Sequence, residues 1–286
     1  MYRSELAYLK TWMSQTKRKP IMLRGARQVG KSTLVRQLGA DFGNLVEINL
    51  EKRPALAAPL LDPSPTQRLK RLEALLETKI TPGQTLLFLD EIQATPPLIP
   101  HLRYLYEEHP NLHVVAAGSL LDFTLSESEF SMPVGRVDYL HLGPMSFEDF
   151  LRAQGRTSLL EWIQNYQIAP EKPPPEVPHE IHTELMGFVR SYLLVGGMPE
   201  SVLMQSQNQS SQESEKTLES LLQTYREDFN KYRKRIPEER LRKTFDKIPY
   251  LVGKKLKYSQ IDPDERSREL KAALKMLALA RLVYLV

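Results

Sequence analysis

Residues 23–33 read LRGARQVGKST, an apolar approach to glycine followed by Gly-Lys-Ser-Thr. The spacing fits G-x-x-x-x-G-K-[ST], the pattern of a loop whose backbone N–H groups cradle phosphates. Gly25 and Gly30 permit a tight turn. A helix beginning near Lys31 adds the partial positive charge of its N-terminus. In that arrangement Gly25, Ala26, Arg27, Gln28, Val29, Gly30, Lys31, Ser32 and Thr33 form the phosphate contact. Lys31 supplies a point charge for the β- and γ-phosphates, and Ser32 supplies a hydroxyl for Mg²⁺. A glycine-rich turn with a solvated lysine would show the same letters, so the loop needs company.

Two further stretches supply it. TLLFLDEIQ, residues 85–93, is an apolar run ending in Asp90 and Glu91. Carveouts of this kind need a cause, because buried carboxylates are costly unless paired or metal-bound. Asp90 is the candidate Mg²⁺ partner beside Ser32, and Glu91, on the other side of the strand, is the candidate that orients an attacking water. The alternative is a strand that ends in a solvated acidic turn. HVVAAGSLL, residues 113–121, places Ser119 after another apolar run, where it contacts the γ-phosphate or water, or caps a helix. The set describes a nucleotide hydrolase. The N-K-x-D element that reads guanine is missing, since NKYR at 230–233 lacks the aspartate, so adenine is preferred.

The surrounding pattern alternates. PIMLRG, LVEINLE, TLLFLDE, LHVVAAGS and RVDYLHL read as strands; KSTLVRQLGADF, PTQRLKRLEALLETK and LIPHLRYLYEEH read as helices. Such alternation implies an α/β fold with a parallel sheet covered on both faces. Residues 1–14 form an amphipathic helix, and this block closes near residue 154. IAPEKPPPEVPHE reads as a loop. ELMGFVRSYLLVGGMPESVLM reads as two helices broken at Gly196, Gly197 and Pro199, and residues 205–215 as a polar, mobile stretch. The division expected is 1–154 for the nucleotide-binding core with its N-terminal helix, 155–235 for a helical lid or linker, and 236–286 for a helix-turn-helix ending in the β-rich VYLV, the outline of a winged helix.

Composition narrows the setting. The chain has 286 residues, 41% hydrophobic and 26% charged, within the soluble globular range. It lacks cysteine, which excludes disulfides and thiolate metal sites. His179 and His182 have no local acidic cluster to complete a metal site. No signal-peptide core or membrane-length apolar run is present, so a cytoplasmic protein is expected.

The ordered set RGARQVGKST, INLE, LLFLDEIQ, VVAAGSLL, SMPVGRVDYLHLGPMSFEDFL and SYLLVGGMPESV resembles the prokaryotic AAA-superfamily ATPases that continue into a conserved C-terminal domain of unknown function. The resemblance covers nearly the whole chain. Family loops often read G-P-R-Q-V-G-K-T; here Ala26 replaces the proline and Ser32 the threonine. The resemblance implies a five-stranded parallel core of order 5-1-4-3-2 followed by a winged-helix region. It also points to Arg136 as a sensor of the γ-phosphate or a finger, against the plainer reading of a surface ion pair. Family members usually run on into a nuclease-like domain, so the resemblance implies that Val286 cuts the chain short within the wing.

The net charge is +4, and NKYRKRIPEERLRKTFDK, residues 230–247, concentrates much of the positive charge. Its lysines and arginines suit DNA phosphates, but interleaved acids also suit an ordinary solvated helix. The leading expectation is a Mg²⁺-dependent ATPase that drives a switch in the helical region. The alternatives are a nucleotide-gated DNA-binding regulator and a scaffold whose nucleotide only stabilises it; a homo-oligomer or another protein partner stays open.

Overall fold

The computed structural model describes residues 1–119, 121, 135–166, 176–207, 211–232 and 235–285. Five parallel strands form one sheet: β1 Ile21–Arg24, β2 Asn44–Asn49, β3 Thr85–Asp90, β4 His113–Gly118 and β5 Asp138–His141. The order β2-β3-β4-β1-β5 is the expected one read from the other edge. Burial follows position. The inner strands β3 and β4 are buried at every residue, whereas the edge strand β5 alternates partly buried and exposed positions. A strand covered on both faces has no solvated side to mark with polar residues.

Helices among the described residues are α1 Glu5–Met13, α2 Lys31–Gly39, α3 Ala57–Leu60, α4 Pro65–Leu76, α5 Leu98–Glu108, α6 Phe147–Ala153, α7 Thr157–Asn165, α8 His179–Val195, α9 Pro199–Ser206, α10 Ser211–Asp228, α11 Glu238–Lys247 and α12 Ser267–Leu279. The chain divides into two compact units. The larger combines Tyr8–Leu142 with the segment from Tyr225 onward. Its main core joins Met22, Ile48, Leu89 and Val114 of the sheet to Leu72 of α4 and Leu102 and Leu105 of α5. Trp12 is buried at the end of α1; its indole N–H donates to the Lys19 carbonyl at 2.9 Å and its ring meets His113 edge-on.

A second cluster in the same unit unites Phe229, Ile236, Leu241, Ala273 and Leu277, where α11 packs on α12. Ala273 and Leu277 of the expected stripe face this core, and Leu270 and Leu274 are buried with them, as the helical spacing demands. The β-rich end does not become a strand: Val283, Tyr284 and Leu285 lie in no ladder. A strand needs a neighbour to take its backbone hydrogen bonds, and Leu282 and Val283 instead pack on the helical cluster.

The smaller unit combines Met1–Ala7 with Gly143–Thr224. Phe150, Met145, Val195 and Val202 form its core, with Phe147 and Tyr192 against them. Ser146 caps α6 by accepting from the Asp149 N–H at 3.1 Å. Residues 211–215, read as part of a mobile stretch, are the first turn of α10. The apolar anchors further along that helix, Leu221 among them, override its polar start. The proline-rich segment expected as a loop lies largely outside the described residues. No helix among the described residues is long and apolar enough to cross a membrane.

Candidate nucleotide-binding site

Strand register brings the three sequence elements to one edge of the sheet. Arg24 stands opposite Gly118 and His141, Asn49 opposite Asp90, and Leu89 opposite Ala116. Gly25, Asp90 and Ser119 therefore leave the sheet at its C-terminal edge, where ligands of open α/β sheets bind. The loop geometry demands its glycines. A Cβ on Gly25 would lie 2.1 Å from the Leu142 carbonyl oxygen, and the Leu142 N–H in turn donates to Arg24 at 2.7 Å. Gly30, at φ 92, caps α2 in the left-handed region. Gln28 is left-handed too and exposed, while Val29 is wholly buried and pins the loop from beneath. Thr33 is exposed on the first turn of α2.

Lys31 is buried, only 7% exposed, and its ammonium donates to the loop carbonyls of Gly25 at 3.0 Å and Ala26 at 2.8 Å. Burial pushes its amine down to about 8, against the opposing pull of Glu91 and Asp90, with Arg27 adding to the depression. A charged group held this way costs free energy that a phosphate would recover. The Ser32 hydroxyl donates to Asp90 Oδ2 at 2.9 Å, and Asp90 Oδ1 accepts from the Glu91 N–H at 3.1 Å. Asp90 is thus buried yet paired. A hydroxyl and a carboxylate in contact are hard oxygen donors, the chemistry that suits Mg²⁺. Among the described residues no cluster of three or more His, Asp or Glu side chains forms an all-protein metal cage.

Glu91 is left-handed at φ 52 and partly buried. Its carboxylate accepts from the Gln93 side-chain amide. Gln93 Oε1 is buried with no partner among the described residues. It lies where a Cβ on Gly118 would come within 2.2 Å, so the glycine before Ser119 makes room for it. Gln93 was not singled out by the motif reading. Its signal is the sequence Asp-Glu-Ile-Gln itself, which returns a polar side chain to the acid two residues earlier.

The apex of the loop has partners that no local pattern shows. Tyr225 donates its hydroxyl to the Arg27 carbonyl at 2.8 Å, and the Arg27 guanidinium pairs with Asp228 at 2.9 Å. Burial first, and Asp228 second, push the Tyr225 hydroxyl up to about 12, so it stays a donor. Ser119, buried at 6% exposure, lines a small cavity with Arg27, Tyr225, Asp228 and Phe229.

Arg136 stands elsewhere. It precedes β5, whose Asp138 pairs with Ile21 at the start of β1, the sheet edge opposite Gly25. Its Nε donates to Glu107 at 2.7 Å, the surface ion pair. The Gly196–Pro199 break serves packing: a Cβ on Gly197 would lie 2.3 Å from the Met145 carbonyl, and Met145 N–H donates to Gly197.

The sheet order is that of the P-loop nucleotide-binding fold. Residues 17–151 match a family model described as an AAA domain. Residues 186–286 match one described as a domain of unknown function (DUF8612). The fold is similar to that of the Walker-type ATPase PABY2304 of Pyrococcus abyssi, at 17% identity and a TM-score of 0.54, over 96% of this chain and 88% of that one. It is also similar to the ORC2 protein of Aeropyrum pernix, solved as ADPNP–ADP complexes, at 12% identity and a TM-score of 0.52, over 99% and 87%. A comparison with curated proteins gives no match. At these identities the likeness is one of fold.

Proposed function

We propose that the chain binds ATP with Mg²⁺ and hydrolyses it, and that turnover shifts the helical region. The observation that carries the reading is the contact of Ser32 with Asp90 beside a buried Lys31, with Glu91 next in the chain. Lys31 exchanges the Gly25 and Ala26 carbonyls for the β- and γ-phosphates. Ser32 and Asp90 hold the Mg²⁺ ion, which when bound neutralises charge on the phosphate oxygens. Glu91 orients a water and accepts its proton as the water oxygen bonds the γ-phosphorus; the bond to the bridging oxygen breaks, and ADP leaves with that electron pair. Gln93 holds the Glu91 carboxylate in place.

The switch rests on Arg27. Its carbonyl and guanidinium are both engaged by the last turn of α10, so a loop that rearranges around phosphate must adjust Tyr225 and Asp228. α10 runs from the smaller unit into the larger between Thr224 and Tyr225. The test is ATP turnover and nucleotide affinity in Lys31→Ala and Glu91→Gln. Lys31→Ala loses binding; Glu91→Gln retains binding and loses turnover by about two to four orders of magnitude. Normal turnover in Glu91→Gln refutes the mechanism, and nucleotide binding with no turnover in the wild type favours a purely structural nucleotide.

A further inference from the structure

The ion pairs redistribute the positive charge that the sequence concentrates at 230–247. Arg240 is held by Glu265 at 3.1 Å and Glu269 at 2.9 Å, Arg242 by Glu238 at 2.8 Å, and Lys243 by Asp262 at 3.2 Å. Arg226 takes Asp246 at 2.8 Å. These cations are paired with acids of the same unit. The ones downstream are not. Lys247, Lys254, Lys255 and Lys257 are exposed and have no acidic partner among the described residues. The same holds for Arg268, Lys271 and Lys275 on α12.

Their placement is ordered. Arg268, Lys271 and Lys275 follow one another at helical spacing along the outer face of α12, opposite the buried Leu270, Ala273, Leu274 and Leu277. Lys247 and Tyr250 line an open cleft of about 610 Å³ with Gln260 and Asp262. Between the lysines, Tyr250 and Val252 are 74% and 73% exposed, and Gly253 turns the chain at φ 75. Of the acids around them, Asp262, Glu265 and Glu269 are taken by Lys243 and Arg240, and Asp246 by Arg226, while Asp264 is exposed.

We propose that these two sets of cations, Lys247 with Lys254, Lys255 and Lys257, and the outer row of α12, bind the phosphate backbone of double-stranded nucleic acid. A helical row of cations and a run of exposed lysines, none with an acidic partner among the described residues, fit a polyanion of regular charge. A lipid surface fits less well, because the apolar stripe of α12 is committed to the core and cannot insert. A single strand fits less well too, because stacking platforms use several aromatic faces and this surface offers Tyr250. The proposal does not depend on ATP hydrolysis.

The test is fluorescence anisotropy of a labelled mixed-sequence DNA duplex of about 20 base pairs with the full chain, at about 50 and 200 mM salt. Lys254→Glu/Lys255→Glu/Lys257→Glu should weaken binding at least about tenfold and lower the log–log salt slope by about two to three. Lys271→Glu/Lys275→Glu, on the other element, should weaken it as well, whereas Arg242→Ala/Lys243→Ala, whose charges are already paired, should change it less than about twofold. Unchanged melting curves separate lost contacts from lost folding. The proposal is overturned if the wild type leaves the duplex unbound at the lower salt. It is equally overturned if the paired-cation control loses as much as the loop variant, or if phosphatidylserine vesicles are bound and the duplex is not.

Discussion

Lys31 is the residue on which the site's chemistry turns. Its folded value of about 8 lies below the ordinary 10.5, so the burial cost is fully present below pH 8 and is relieved as pH rises toward the unfolded value. The nucleotide-free protein should therefore gain stability through that window, and Lys31→Met should flatten the gain; chemical denaturation across pH measures both. A phosphate favours the charged amine, so ADP binding at about pH 8.5 should take up protons, read by calorimetry in buffers of different ionisation enthalpy. Gln93 invites a second comparison. Gln93→Ala frees Glu91, and turnover should fall about tenfold with nucleotide affinity little changed. Gly118→Ala should reproduce that loss without a large change in melting, since the added methyl meets the flexible end of Gln93. The letters of Lys31, Ser32, Asp90, Glu91 and Ser119 were legible because each sits in a local pattern tied to a strand end. Tyr225 and Asp228 were not, because they reach Arg27 across 198 and 201 residues of sequence, and only folding sets such contacts.

At the scale of elements, the strands were legible from their apolar runs, and the sheet order followed from the family resemblance. The failures share one cause: an element's fate depended on neighbours. Val283–Leu285 carried β-forming residues but no strand to pair with, and residues 211–215 looked too polar for order until the rest of α10 anchored them. The charge of α11 suited either DNA phosphates or an ordinary solvated helix in the sequence; in the fold Arg240 and Lys243 meet acids from the 262–269 segment. The end of α10 is the element with the sharpest expected consequence. In Tyr225→Phe/Asp228→Asn, ADP affinity should stay within about threefold, at a local cost of about 1–3 kcal/mol. The change in hydrogen-exchange protection of α10 that ADP causes in the wild type should disappear. Unaltered protection changes in the variant would dismiss Arg27 as the link.

For the whole molecule, the division into units supplies its own reporters. The chain has two tryptophans, Trp12 in the larger unit and Trp162 in the smaller. Saturating nucleotide at about 100 times Kd adds about 2.7 kcal/mol to whichever unit holds the site. In Trp162→Phe the Trp12 signal should therefore melt at higher temperature with ADP. In Trp12→Phe the Trp162 signal should shift less if the units unfold separately. The larger unit also takes in Phe229, so Phe229→Ala should cost about 3–5 kcal/mol and lower the Trp12 transition, although the two residues lie far apart in sequence. Above all, the account stands on one chemical claim, that Glu91 drives hydrolysis of an ATP held by Lys31, Ser32 and Asp90. Its most direct test is Mg²⁺-dependent phosphate release by the wild type and by Glu91→Gln, with ATP binding measured in parallel. The account predicts turnover in the wild type, binding in both, and turnover lost in Glu91→Gln; equal turnover in the two proteins would contradict it.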